Sequence, residues 1–77
     1  MEKYTRPVHI GRCIKHRMES MGLTTVWLAS QLGYHRTNLY KIYSMQTIDT
    51  GVLLRISRIL KYDFFALYSE EISDECF

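Results

Sequence analysis

The chain has 77 residues, of which 47% are hydrophobic and 23% are charged, and its formal net charge at pH 7 is +2. This length predicts a single domain, and this composition is typical of a globular protein rather than a disordered segment. No stretch approaches the roughly 18 apolar residues of a membrane span, and the first residues lack a signal peptide's apolar region. We therefore expect a cytoplasmic protein.

The charges are unevenly distributed along the chain. All ten Lys and Arg residues fall within residues 1–68 together with four acidic residues, which gives that part a formal charge of +6. The other four acids are Glu70, Glu71, Asp74 and Glu75. A basic body suits a polyanionic partner, and a short acidic tail either shields it or aids solubility. Charge alone fits an ordinary solvated surface equally well.

The first predicted helix runs from about Pro7 to Met21 and is closed by Gly22. Lys3 and Arg6 precede it in a loose basic arm. The helical repeat separates an inward face from an outward one, with Ile10, Ile14 and Met18 or Met21 inward, and Arg12, Lys15 and His16 outward.

The cysteines and histidines do not form a recognisable metal or disulfide pattern. Cys13 and Cys76 lack the close spacing of a zinc site, and reduced thiols are usual in a cytoplasmic protein. A helical face can bring His9, Cys13 and His16 together, but nothing supplies a fourth ligand. We predict no metal site and no cofactor.

Residues 24–44, TTVWLASQLGYHRTNLYKIYS, predict two short helices joined by a tight turn. Thr24 is a suitable N-cap for the first of them. Gly33 can adopt the left-handed conformation that ends a helix, and the small Ala29 lets a second helix cross closely. One face of each helix is apolar, at positions Leu28 and Leu32, and Leu39 and Ile42. This is the layout of a helix-turn-helix.

Two further helices are predicted after this motif. Asp49 or Thr50 caps helix 4, which extends to about Leu60, and Asp63 caps a short helix 5 over residues 64–68. Residues 69–77 are expected to fray as an acidic tail. The inward residues of helix 4 are Leu53, Ile56 and Leu60. The fold class predicted for the single domain 1–77, with its core in residues 8–68, is an all-α compact bundle of five short helices.

The C-terminal half is more apolar than one small core needs. This excess predicts a two-fold interface between two copies of the chain. Its residues would be Leu54, Ile59, Phe64, Phe65 and Tyr68. The alternative is that the aromatic residues only complete the core of the monomer.

The chain resembles the phage-repressor-like, or Xre/Cro-type, helix-turn-helix DNA-binding domains. The likeness extends from about Ile10 to Tyr68, through IGRCIKHRMESMGL, TTVWLASQLGYHRTNLYKI and DTGVLLRISRILKYDFFALY. It implies a sequence-specific transcriptional regulator of bacterial or phage origin, a repressor that binds a near-palindromic operator in double-stranded DNA as a homodimer. No small-molecule effector is evident. The alternative is a protein-interaction module, such as an antitoxin or adaptor, on the same scaffold.

The resemblance implies that helix 3, from His35 or Arg36 to Ser44, enters the major groove. Arg36 is the best candidate for reading a base, because its guanidinium can donate twice to guanine. Asn38 lies nearer the side of the helix and suits a phosphate or capping role. His35 should cap poorly or contact phosphate, and Thr25 occupies a phosphate-gripping place. The rest of the outward face is Thr37, Tyr40, Lys41 and Ser44.

Three departures from the family pattern concern the core and one surface. The acid that usually pairs with the arginine at position 17 is replaced by Tyr43, so Arg17 is expected to reach solvent, to stack on Tyr43 or to find Asp49. The glycine that usually follows helix 3 is missing. Trp27 is either half-buried against a neighbouring helix, which we favour, or part of a partner surface. No nucleophile, base and orienting group occur at a recognisable spacing, so no enzyme is predicted.

Overall fold

The computed structural model describes the backbone of residues 8–76 and the side chains of residues 8–72. Within this part the chain forms five helices and no strand: α1 (Ile10–Ser20), α2 (Thr25–Leu32), α3 (Arg36–Tyr43), α4 (Thr50–Leu60) and α5 (Phe65–Cys76). The predicted all-α bundle is confirmed. Lys3, Arg6 and Pro7 lie outside the described residues. No helix in the described part is long and apolar enough to cross a membrane.

Side-chain caps determine where most of the helices begin. The imidazole Nδ1 of His9 accepts a hydrogen bond from the backbone N–H of Arg12 at 3.1 Å, so α1 begins at Ile10 rather than near Pro7 as predicted. At α4 the carboxylate of Asp49 accepts from Val52 N–H at 3.2 Å. The carboxylate of Asp63 does the same for Phe65 at 3.0 Å. Each cap satisfies a donor that the first turn leaves without an intrahelical partner.

The last helix is longer than the sequence suggested. We expected a short turn over residues 64–68 followed by a frayed tail, but α5 continues to Cys76. The prediction is wrong because a frayed tail was inferred from the acidic residues of this segment alone. Residues 65–76 contain neither glycine nor proline, and glutamate is a good helix former, so nothing in this segment stops a helix once Asp63 has started it.

A single apolar core is shared by the first four helices, α1 to α4. Its twelve members are Ile10, Ile14, Met18, Leu28, Ala29, Leu32, Leu39, Ile42, Leu53, Ile56, Leu60 and Phe64. Every residue predicted to face inward is among them, and of the two methionines offered for α1, Met18 is buried while Met21 is 42% exposed. Phe64 is 0% exposed. The prediction that Phe64 lies in a dimer interface is therefore wrong, because its ring completes the core of the monomer.

A close approach between two helices involves Gly11 of α1 and the C-terminal end of α3. A Cβ atom at Gly11 would overlap the carbonyl oxygens of Ile42 and Tyr43. The backbone N–H groups of Ile10 and Gly11 donate to the carbonyls of Gln46 and Met45, each at 3.0 Å. The first turn of α1 and the chain leaving α3 thus satisfy one another's backbone groups. The chain thus leaves α3 without the glycine that the resemblance would place there.

Arg17 stacks on an aromatic ring, but not on the predicted one. Its guanidinium carbon lies 4.3 Å from the ring centroid of Tyr62. The two partners that we had expected are engaged elsewhere, since the hydroxyl of Tyr43 pairs with Thr25 and Asp49 caps α4. The Nε atom of Arg17 is buried and has no hydrogen-bond partner among the residues that the structure describes.

Candidate nucleic-acid interface

The turn between α2 and α3 has the glycine conformation that the sequence predicted. Gly33 has φ 74° and ψ 26°, and its N–H points at the carbonyls of Ala29 and Ser30. The next N–H, of Tyr34, donates to Ala29 at 2.9 Å. No atom of the described residues lies within 4 Å of a Cβ built at Gly33, so the positive φ and not crowding requires glycine here.

A histidine caps α3 better than expected. The Nδ1 atom of His35 accepts from the backbone N–H of Thr37 at 3.3 Å, and the same nitrogen lies 3.0 Å from the Thr37 hydroxyl. The backbone carbonyl of His35 accepts from Asn38 N–H at 2.9 Å. The expectation that His35 caps poorly is corrected by these contacts, which need Nδ1 as the acceptor and hence the proton on Nε2.

Arg55 ties the turn to α4, and sequence reasoning missed it. Its guanidinium donates to the carbonyl of Leu32 at 2.8 Å and lies 5.7 Å from the ring centroid of Tyr34. A cation at the C-terminal end of α2 is also favoured by the helix dipole. Since Arg55 is 23 residues from Leu32 along the chain, no local pattern indicates this contact.

Helix α3 presents a polar face to solvent and an apolar face to the core. Leu39 and Ile42 are buried. Ser44 donates its hydroxyl hydrogen to the carbonyl of Lys41 at 2.7 Å, so that hydrogen is already in use. The predicted residues around α3 all lie on the exposed part of this segment: His35, Arg36, Thr37, Asn38, Tyr40, Lys41 and Ser44.

A hydroxyl pair joins the beginning of α2 to the end of α3. The oxygen atoms of Thr25 and Tyr43 are 3.0 Å apart, and either one can donate. When Tyr43 donates, the hydrogen of Thr25 remains available to a phosphate oxygen. The ring of Tyr43 also contacts that of Tyr40 edge to face, with centroids 6.2 Å apart. The pair therefore orients Thr25 at the N-terminus of α2, and with Tyr43 as the donor it leaves Thr25 able to donate.

The electrostatics of this surface are one-sided. No acidic residue occurs anywhere between positions 20 and 48, a range that contains α2, the turn and α3. Arg36 and Lys41 contribute two exposed cations within α3. Two apolar side chains on α2 are also exposed, Val26 at 57% and Trp27 at 36%. Trp27, with about two thirds of its surface covered, fits the half-buried position that we favoured.

A family model described as Cro/C1-type HTH DNA-binding domain matches residues 13–64, which is more than half of the chain and includes the whole of α2, the turn and α3. No curated protein and no solved structure matches the chain.

Proposed function

The chain belongs to the Cro/C1-type helix-turn-helix DNA-binding family, and from this premise we propose that it is a sequence-specific transcriptional repressor that reads the major groove with α3. Such a regulator works in the compartment that holds the DNA, which for a bacterial or phage protein is the cytoplasm. A repressor of this kind acts by occupying an operator.

The observation that carries the proposal is the exposed polar face of α3 on a firmly held helix. The buried side chains of Leu39 and Ile42 hold that helix against the core, and the left-handed turn at Gly33 determines its angle to α2. Arg36 is the first residue of α3, and in helix-turn-helix proteins the N-terminal residues of the second helix lie nearest the base edges. In this proposal Arg36 donates to guanine, while Thr37, Tyr40 and Lys41 contact neighbouring bases or phosphates.

The phosphate backbone would supply most of the affinity. Thr25 and the free N–H groups at the start of α2 suit one phosphate, and His35 and Asn38 lie beside the start of α3 where a second would pass. Binding of this type releases counterions, so the affinity for any duplex should fall steeply as salt is raised.

A homodimer is part of the proposal, with its contact on α4 and α5. Leu54 is 42% exposed, and Ile59, Phe65 and Tyr68 are only partly buried. A groove of about 340 Å³ runs beside them, lined by Thr47, Ile48, Thr50, Leu53, Phe65 and Tyr68. Two copies related by a two-fold axis would place their α3 helices roughly 34 Å apart, which is one turn of B-DNA.

Selection of binding sites from random duplex DNA by the purified chain tests the proposal most directly. We expect two inverted half-sites with centres separated by about 10 base pairs or a multiple of that spacing. Enrichment of a single unrepeated half-site would contradict the homodimer. Absence of any enriched sequence would contradict sequence-specific reading.

Replacement of Arg36 by alanine tests the role of one side chain. We expect Arg36→Ala to lose about 1–3 kcal/mol of binding free energy on the selected site and to relax base preference at one position. Arg58→Ala is the matched control, because Arg58 is an exposed arginine of α4 and its loss changes the net charge equally. If Arg36→Ala weakens binding to all sequences by the same factor, Arg36 contacts phosphate instead.

A second candidate function rests on the exposed Val26 and Trp27. Two adjacent apolar side chains at the start of α2 fit a protein-interaction surface, as an antitoxin or adaptor would need. The two functions differ in their response to salt. Steep weakening of duplex binding between 50 and 200 mM salt, a range over which phosphate-binding proteins lose roughly a thousandfold or more, favours the repressor. Salt-independent behaviour, with no duplex binding, favours the interaction module.

A further inference from the structure

A pocket of about 670 Å³ opens between α1 and the segment that connects α4 to α5. Its volume is within the range of sites that hold small molecules, roughly 300–1,000 Å³. Helix α1 contributes Arg12, Cys13, His16 and Arg17, and the opposite wall includes Phe64 and Leu67. None of the described residues that line the pocket belongs to α2 or α3, so the pocket is separate from the proposed DNA-reading surface.

The α1 side of the pocket is cationic. Its two cations, Arg12 and Arg17, lie on one face of the helix with the imidazole of His16, and no described lining residue is acidic. The Arg17 guanidinium carbon lies 4.3 Å from the Tyr62 ring centroid, while its Nε atom is enclosed and finds no hydrogen-bond partner in the described part of the chain. Two guanidinium groups therefore line this side without an acidic partner in the described lining, and an anionic acceptor is the group that pairs best with them.

The other side of the pocket is apolar. Phe64 is fully buried beneath the pocket, and its ring meets that of Tyr62 edge to face with centroids 4.8 Å apart. Burial raises the pKa of the Cys13 thiol above its ordinary value of 9.0, so at neutral pH this side chain is an uncharged part of the pocket lining. With Leu67, these groups favour an aromatic or alkyl body over a bare inorganic ion.

We propose that this pocket binds a small organic carboxylate with an aromatic body. The carboxylate accepts hydrogen bonds from Arg17 and Arg12, and the ring lies against Leu67 and the thiol of Cys13, above the buried Phe64. Inorganic phosphate would satisfy the arginines but leave the apolar wall uncovered. A neutral aromatic molecule would cover the wall but leave the arginine unpaired.

Titration of the full chain with 2-naphthoate, followed by NMR, tests this proposal. We expect saturable binding of one molecule per chain, with the largest shifts in α1 and residues 62–67. The uncharged analogue 2-naphthamide should bind at least about tenfold more weakly, since it lacks the charge that pairs with the arginines. Arg12→Gln should weaken 2-naphthoate binding severalfold. Lys15→Gln, which removes the same charge from an exposed residue of α1 outside the pocket, should leave it unchanged.

Alkylation of Cys13 gives a second measurement on the unaltered chain. Bound 2-naphthoate should slow the reaction of iodoacetamide at Cys13, with the rate at Cys76 followed separately by peptide mapping as the internal reference. Equal affinity for 2-naphthamide, NMR shifts centred on α3, or undiminished alkylation of Cys13 would each overturn the proposal. The Arg36→Ala variant should bind 2-naphthoate normally, so this proposal and the DNA-reading proposal can fail independently.

Discussion

The two ends of α3 are fixed by different kinds of contact. At its start, the helix is positioned by the left-handed turn at Gly33 and by the His35 cap, both within three residues of its first residue. At its end, Ser44 keeps right-handed helical angles and no glycine follows. The chain there is held instead by the N–H groups of Ile10 and Gly11, more than thirty residues earlier. One end is therefore specified by local conformation and the other by the approach of a separate helix.

The C-terminal end of α3, which α1 holds in place, should be disrupted most by adding a methyl group at Gly11. A Cβ there would overlap two backbone carbonyl oxygens, so α1 and α3 would have to separate. We expect Gly11→Ala to reduce the free energy of unfolding by about 3 kcal/mol, measured by urea denaturation, although alanine favours a helix by itself. For a chain of this size such a loss is a large fraction of the total stability.

Gly51→Ala is the matched control for this prediction. Gly11 and Gly51 are each the second residue of a helix, so alanine brings the same intrinsic helical gain at both. The nearest atom to a Cβ at Gly51 is a side-chain oxygen of Asp49 at 3.0 Å, which can move slightly. Gly51→Ala should therefore be close to neutral. Similar effects at the two glycines would show that the approach of α1 to α3 is looser than the structure indicates.

This contrast also explains how much of the molecule the sequence could predict. The caps Thr24 and Asp49, the left-handed Gly33 and the apolar periodicity are local signals, and they gave four of the five helices and the buried face of each. Contacts between distant residues were missed or misassigned. Gly11 against α3 and Arg55 on the carbonyl of Leu32 have no local signature.

The same limit applies to the candidate site. The exposed residues of α3 followed from the helical repeat, because Leu39 and Ile42 fix which side is buried. The partner of Arg17 did not follow, since choosing Tyr62 over Tyr43 requires knowing how α1 packs beside the segment after α4. The full length of α5 was missed for another reason, because four acids were interpreted as a tail although nothing in residues 65–76 breaks a helix.

The N-terminal end of α3, which local conformation specifies, can be disrupted at Gly33. Alanine at a left-handed position costs about 1–2 kcal/mol, and we expect Gly33→Ala to lose that amount in urea denaturation. Gly33→Asn should lose less, because asparagine tolerates this conformation. Gly22 has a similar φ of 69° in open space, so Gly22→Ala should cost as much stability while leaving the helix-turn-helix unaltered. Only the Gly33 variant should also weaken operator binding beyond its effect on folding.

The smallest expected effect concerns the hydroxyl pair that links the two regions. Tyr43→Phe removes the oxygen that lies 3.0 Å from Thr25 and should lower the unfolding free energy by about 0.5–1 kcal/mol, the usual worth of one partly buried hydrogen bond. Tyr40→Phe is the control, because its hydroxyl has no hydrogen-bond partner among the described residues and its ring contact with Tyr43 is retained. Equal losses for the two variants would mean that the Thr25–Tyr43 pair contributes nothing. A loss confined to Tyr43→Phe would show that α2 as well as α1 secures the end of α3. Both ends of α3 would then be oriented by α2, the first helix of the motif.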